Sequence, residues 1–255
     1  MPTRDSAPLG APCWIDLTTS DVARAQEFYG AVFGWTFEAA GPEYHGYVNA
    51  AKDDHKVAGL MANRPEAGSP DHWTTYFHTA DLDATLSAVT GAGGSVCMAI
   101  EVPAKGHMAV ATDPTGAVFG LWQPLEHRGF ELIGAPGSPV WHQLTTRGYG
   151  AALDFYRDVL GWQTESVSDT DEFRYSTARF GDEELIGVMD GAALPEEIPP
   201  NWVIFFGAED VDKTLRVIAD HGGAVVRDAE DTPYGRLAAA SDPTGVIFNL
   251  SSLPT

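Results

Sequence analysis

Apolar and polar positions in this chain follow two alternating periods, and together they predict one unit written four times. Residues 13–17 (CWIDL) read as a short strand, and a helix opens at Ser20-Asp21, both good N-caps. Val22, Ala25, Phe28, Tyr29, Val32 and Phe33 form an apolar stripe at helical spacing, and Gly34 suits the left-handed position that ends a helix. Two or three strands follow through Met61. The order then begins again with a strand over 73–79 and a helix from Asp81, which carries Leu82, Leu86 and Val89 on one face and stops at Gly91. Strands around 95–100, 107–112 and 117–122 complete a second βαβββ unit.

The second half of the chain repeats the first. Residues 13–38 align with residues 140–165 at an offset of 127, with 11 identities in 26. The match continues at offsets of 128 and 129: Gly59-Leu60-Met61 answers Gly187-Val188-Met189, Trp73 answers Trp202, and Asp113-Pro114-Thr115-Gly116 answers Asp242-Pro243-Thr244-Gly245. A drift of two residues over a whole half marks a duplicated unit. The predicted organisation is α+β: a first domain over 1–125, a Gly- and Pro-rich linker over 126–138 and a second domain over 139–255, each of two βαβββ modules with its own small core. A lone module leaves sheet edges and one apolar face open, so the modules are expected to pair.

Composition narrows the partners. Of 255 residues 36 are acidic and 15 basic, a net charge of −21, which argues against nucleic acid or an anionic membrane as partner because phosphates are neutralised by clustered Lys and Arg. No apolar run approaches the roughly 18 residues of a membrane span, and the first residues lack a secretory pattern, so a cytoplasmic location is expected. Cys13 and Cys97 fall in no metal-ligand spacing and form no disulfide framework. The Gly91–Gly94 stretch follows a helix and is read as a helix stop, not as a phosphate loop.

The run DVARAQEFYGAVFGW, its copy GYGAALDFYRDVLGW and the two DPTG turns before a last strand resemble the vicinal oxygen chelate superfamily of glyoxalases, bleomycin-resistance proteins and extradiol dioxygenases. The two-domain form is similar to glyoxalase-like proteins of actinobacteria labelled as hydroxylases. The resemblance covers nearly the whole chain and implies two cup-shaped mixed sheets, each built from two modules, with helices outside and a ligand cavity within. Function does not follow from the fold alone.

The resemblance also implies a divalent metal held by His and Glu on the cup face. Those positions fall on Trp14, Gly59, Thr75 and Gly120 in the first half and on Trp141, Gly187, Ile204 and Asn249 in the second. Indole, hydrogen and alkyl groups do not coordinate such a cation, and Asn249 alone is not a site. The neighbours Asp16, His78, His142 and Gln143 complete neither set. No metal and no cofactor is expected. Of the histidines, 45, 55, 72, 127 and 221 read as solvated, while His78 and His142 read as satisfied core residues. His107 and its counterpart Arg236 read as cations at a cup mouth or simply on the surface.

Aromatic residues stand where the metal would be. Strand alternation predicts Trp14, Asp16, Trp73, Thr75, Phe77 and Trp122 in the first cup and Trp141, Gln143, Trp202, Phe206 and Asn249 in the second, with Tyr47 and Tyr175 contributing hydroxyls. Two functions fit such cups. One is metal-independent binding of a small, planar, hydrophobic metabolite or antibiotic, neutral or cationic in view of the net charge. The other is a metal-independent hydroxylase, lyase or isomerase with Asp16 as base and Tyr47 or His107 as acid; residual glyoxalase or dioxygenase activity with a displaced metal is a weaker third. The chain is expected as a monomer or homodimer.

Overall fold

The structure is a computed structural model that describes residues 3–64, 68–170 and 172–253. The βαβββ order recurs four times along the chain. The first module is β1 (Pro12–Thr19), α1 (Val22–Phe33), β2 (Thr36–Ala39), β3 (Val48–Lys52) and β4 (His55–Ala62), with a 3-10 turn at Pro42–Tyr44. The second is β5 (His72–His78), α2 (Leu82–Gly91), β6 (Ser95–Val102), β7 (Gly106–Thr112) and β8 (Val118–Pro124). The third is β9 (Pro139–Thr146), α3 (Tyr149–Leu160), β10 (Gln163–Asp169), β11 (Arg174–Phe180) and β12 (Glu183–Asp190). The fourth is β13 (Asn201–Ala208), α4 (Val211–Asp220), β14 (Ala224–Thr232), β15 (Gly235–Ser241) and β16 (Ile247–Ser252).

Local chemistry sets these boundaries. Asp21, Asp81 and Asp210 cap α1, α2 and α4 by accepting the amide of the third residue on, at 3.0, 3.0 and 2.8 Å. Gly34 and Gly161 end α1 and α3 in the left-handed region, at φ 69° and 70°. In the Asp-Pro-Thr-Gly turn, Asp113 Oδ1 accepts the amides of Thr115 and Ala117 and the Thr115 hydroxyl; Asp242 does the same for Thr244 and Val246.

Each half folds into one eight-stranded sheet, in the order β2-β3-β4-β1-β5-β8-β7-β6 and β10-β11-β12-β9-β13-β16-β15-β14. The two modules of a half join where β1 runs antiparallel to β5, and β9 to β13. Helices α1 to α4 lie against one face of each sheet, and among the described residues the other face carries none of them.

The two helix-bearing faces meet, with α1 beside α4, α2 beside α3 and β5 beside β13. The buried apolar side chains accordingly form one continuous cluster from Ala7 to Leu250, in place of the two separate cores expected from the module count. A pair of buried polar pins crosses this interface in a two-fold-like arrangement. Tyr29 donates to Asp242 and accepts from Trp73 Nε1, at 3.2 Å each; Tyr156 donates to Asp113 at 3.2 Å and accepts from Trp202 Nε1 at 3.0 Å. Each DPTG aspartate thus closes its own turn and anchors a tyrosine of the opposite half.

Candidate functional site: two unequal helix-free faces

Strand register decides which side chains share a face. Opposite residues of an antiparallel pair point the same way. Trp14 lies opposite Tyr76 and Asp16 opposite Thr74, while Ile15 pairs with Thr75 and Leu17 with Trp73. The helix-free face of the first sheet therefore carries Trp14, Asp16, Thr74 and Tyr76. It also carries Gly59 beside Asp16, Gly120 beside Tyr76, and Trp122 beside His78.

The expectation that Trp73, Thr75 and Phe77 line the first cup is thereby corrected, because a one-residue step turns all three to the helix-bearing face. Trp73 packs on Tyr29 and Phe206, and Phe77 on Tyr156 and Trp202. Thr75 Oγ1 meets His142 Nδ1 at 3.2 Å. Trp202 and Phe206, expected in the second cup, lie in the same inter-sheet core, and so does Ile204, opposite His142. His107 and Arg236 are not at a cup mouth. His107 pairs with Gln123, whose amide oxygen accepts from the α2 residue Leu82, and Arg236 is bound to Asp212 of α4 and to Asp231. The position assigned to Thr75 on the cup face belongs to Tyr76, and its counterpart in the second half is Phe205.

The residues that do come together on the first face form a compact cluster. Asp16, 5% exposed, accepts from Trp14 Nε1 at 2.9 Å and from the Tyr47 hydroxyl at 2.6 Å. Trp14 Nε1 also reaches the Tyr47 oxygen at 2.8 Å. Gly59 is required here, since a Cβ at that position would stand 1.8 Å from the Tyr47 hydroxyl and 2.3 Å from Asp16 Oδ1. Gly120 makes the same room for the Tyr76 ring. Burial raises the Asp16 carboxyl from 3.8 to about 6, against the opposing pull of hydrogen bonds from Tyr47, Trp14 and Tyr76. Burial, and then the Asp16 charge, holds the Tyr47 and Tyr76 phenols well above 10, so both stay protonated donors.

A segment beyond β8 covers this cluster. The amides of Leu125 and His127 bond to the Lys105 carbonyl, and that of Glu126 to the Ala104 carbonyl; Phe130 N bonds to Cys13 O. His127, expected to be solvated, is instead half-buried with its Nε2 out of solvent, its ring edge-on to Trp14 at 4.4 Å and to Trp122 at 5.5 Å. The Trp122 indole donates to the His127 carbonyl at 2.8 Å. Burial lowers the His127 imidazole to about 4, with the nearby Lys56 charge adding to the effect.

Among the described residues, the second face repeats the arrangement with an amide in place of the carboxylate and with no covering segment. Trp141 Nε1 donates to the Tyr175 hydroxyl at 3.1 Å, and Tyr175 donates to Gln143 Oε1 at 3.2 Å. Gln143 stands where the first face has Asp16, and Gly187, whose Cβ would lie 1.9 Å from the Tyr175 hydroxyl, where it has Gly59. Asn249 lies beside Phe205 on the same face. Trp141, Gln143, Tyr175 and Asn249 are all half-exposed.

Neither face fits a divalent metal. The first offers one carboxylate among indole, phenol and two glycines, with the His78 imidazole bonded to the Ala7 carbonyl at 2.7 Å and that of His127 set against two indoles; the second offers amides, an indole and a phenol. Among the described residues no three His, Cys, Asp or Glu side chains come together as ligands. A cavity between Arg4, Phe130 and His142 has room for about 10 Å³, at most one water.

The family model described as the glyoxalase/bleomycin resistance protein/dioxygenase superfamily matches residues 13–147 and 140–250. The chain is 36% identical over 256 residues to "Putative glyoxylase CFP32" of Mycobacterium tuberculosis, covering 98% of this chain and 97% of that one. It is also 36% identical over 262 residues to "Anthracycline biosynthesis protein DnrV" of Streptomyces peucetius, covering 96% and 94%. Among solved structures, the Mn(II)-bound glyoxalase from Novosphingobium aromaticivorans matches with a TM-score of 0.66 at 16% identity, over 96% of this chain and 82% of that one. The 2,3-dioxygenase LapB from Pseudomonas sp. KL28 matches with a TM-score of 0.67 at 14% identity, over 98% and 94%. At such identity the structures speak for the fold, which is four βαβββ modules in two tandem glyoxalase-like sheets. The chain belongs to the glyoxalase/bleomycin resistance/dioxygenase superfamily.

Proposed function

We propose that the chain is a metal-independent member of this superfamily that binds a neutral, planar, hydrophobic metabolite or antibiotic on the helix-free face of the second sheet. The observation that carries this reading is the uncharged, half-exposed array of Trp141, Tyr175, Gln143 and Asn249. An indole supplies a stacking surface, and two amides and a phenol supply donors and acceptors for the oxygens of a ring system, with no charge to favour an ion. The similarity to a protein named for anthracycline biosynthesis supports a fused-ring ligand. The test is a fluorescence titration with 1-hydroxyanthraquinone, a neutral planar probe, on the parent protein and on Trp141→Ala and Gln143→Ala. Saturable quenching is expected, with binding weakened about two- to tenfold by loss of the indole. Absence of saturable quenching, or unchanged binding by both variants, overturns the reading.

A second reading, acid–base catalysis, is favoured by Asp16. A carboxyl near pH 6 is found in both protonation states close to neutrality, as a general base needs. Asp16 would accept a proton from a ligand hydroxyl or activated carbon, and the Tyr47 or Tyr76 phenol would donate to the oxygen that gains charge. Asp16→Asn separates the two: turnover that disappears while 1-hydroxyanthraquinone still binds speaks for an enzyme, and turnover that survives removes Asp16 from the chemistry.

A further inference from the structure

The four residues Leu125–Arg128, set between Pro124 and Gly129, lie along the first face beside the β6–β7 turn, which the Tyr44 hydroxyl of the first module also meets, at Pro103 O, at 3.1 Å. Gly129 takes φ +101°, which suits a glycine hinge, and a Cβ there would meet Cys13 O at 2.2 Å. Leu125, Glu126 and Arg128 are exposed; of the four, only His127 turns inward. Three backbone hydrogen bonds to the β6–β7 turn hold the segment down, and an exposed Lys105–Glu126 ion pair at 2.8 Å adds little. Beyond Gly129 the chain is anchored, with Phe130 and Leu132 in the core. The inward imidazole sits edge-on to the indoles of Trp14 and Trp122, and the first of these donates to Asp16. Its Nε2 is buried and has no hydrogen-bond partner among the described residues. A buried polar atom left unpaired is costly and uncommon in a settled core. A ring held this way, by two aromatic faces and no polar contact to its edge, is placed as a bound ligand would be.

We propose that Leu125–Arg128 is a gate over the first face and that the His127 ring is a removable plug, whose slot between Trp14 and Trp122 takes a neutral planar ring with a hydrogen-bonding edge when the plug withdraws. The gate is independent of ligand binding on the second face, and it rests on the acid–base reading only for the group the admitted ring meets, Asp16. It accounts for a face whose carboxylate, Asp16, is buried.

The experiment measures access to Asp16 itself. The full chain is treated with a water-soluble carbodiimide and glycinamide at pH 6, and Asp16 labelling is followed by peptide mapping. In a Cys97→Ser background, Lys105→Cys/Glu126→Cys replaces the ion pair across the gate, and the thiols are either bridged with a short bis-maleimide or capped singly with N-ethylmaleimide. The capped protein is expected to label at Asp16 and the bridged protein at least tenfold more slowly. His127→Ala is expected to label at least tenfold faster, and pyrazole, neutral at pH 6, to slow that labelling saturably by refilling the slot. Equal labelling of bridged and capped protein overturns the gate, and failure of pyrazole to protect His127→Ala overturns the slot. The bridged comparison keeps His127 and stands even if the alanine variant folds poorly. Because the readout is Asp16 alone, the outcome is unaffected by what binds at Trp141.

Discussion

Replacing Asp16 with Asn removes one charge from a buried cluster and leaves the side-chain shape and the acceptor oxygen in place. The folded-state carboxyl sits near 6 against 3.8 for the exposed group, a rise of about two units caused first by burial. At roughly 1.4 kcal/mol per unit, ionised Asp16 costs the folded state on the order of 3 kcal/mol. Because the folded-state value is raised, the stabilising contribution is fully present below 3.8 and is lost as the pH rises through 6. The variant should therefore match or fall slightly below the parent near pH 4 and exceed it by about 2–3 kcal/mol above pH 7. For a chain of this size that is roughly 4–12 °C in Tm. The assay is urea unfolding by tryptophan fluorescence from pH 4 to 8, read as the difference between variant and parent. The difference matters because His127 and His142, lowered by burial to about 4 and about 3, make both proteins gain stability with rising pH. Subtraction removes that shared slope. A difference that stays flat across pH 4–7 would mean that Asp16 titrates as an exposed carboxyl, and the sealed cluster would be wrong.

Other consequences follow from the same geometry. Gly59→Ala drives a Cβ into the Tyr47 hydroxyl and Asp16, so a loss of about 1–3 kcal/mol is expected in chemical denaturation, while Gly150→Ala on α3, with nothing within 4 Å, should be neutral or gain up to about 1 kcal/mol. Tyr29→Phe and Tyr156→Phe each remove a buried hydroxyl that joins an aspartate and an indole across the two halves. Each should cost about 1–3 kcal/mol, and a loss near zero in both would deny the pins a role in holding the sheets together. Calorimetry should show one transition for both halves because they share one core; two separated transitions would contradict that.

The fold was legible because its signals are local. Caps at Asp21 and Asp81, the glycine stop at Gly34, the helical stripe through Phe28 and Tyr29 and the DPTG turns each state their structure over a few residues, and the repeat states them twice. The site was legible only in part. Trp14 and Asp16, and their counterparts Trp141 and Gln143, fall where alternation along β1 and β9 puts them, and Tyr47 and Tyr175 bring their hydroxyls to them from just before β3 and from β11. On β5 both faces are largely buried and each mixes polar with aromatic residues, and on β13 both are largely apolar, so alternation carries no phase. A frame set on the wrong residue exchanged Trp73, Thr75 and Phe77 for Thr74, Tyr76 and His78. Phase comes from inter-strand register, a long-range property. His127 was missed for a related reason: its neighbours Glu126, Arg128 and Gly129 are polar or small, and only the fold of the segment onto Trp122 buries its Nε2.

Duplication gave the chain two copies of one arrangement, and on the helix-free faces the copies differ in their ionisable groups. The inter-sheet core keeps its pairs: Trp73 and Trp202, Tyr29 and Tyr156, Asp113 and Asp242 make equivalent bonds. The helix-free faces keep the indole, the phenol and the glycine, yet exchange Asp16 for Gln143, Tyr76 for Phe205 and Gly120 for Asn249. Every one of these exchanges takes an ionisable group out of the second copy or adds a neutral amide to it. Among the described residues charge and cover also go together: the copy with the carboxylate lies beneath the segment from Leu125 to Phe130, and the copy without it is half-exposed. Sealing is what raises Asp16 toward neutrality, since an open face would let water restore its ordinary acidity. The cover is thus part of the acid–base character of the first face, and its removal should lower the Asp16 carboxyl toward 3.8 as well as expose it.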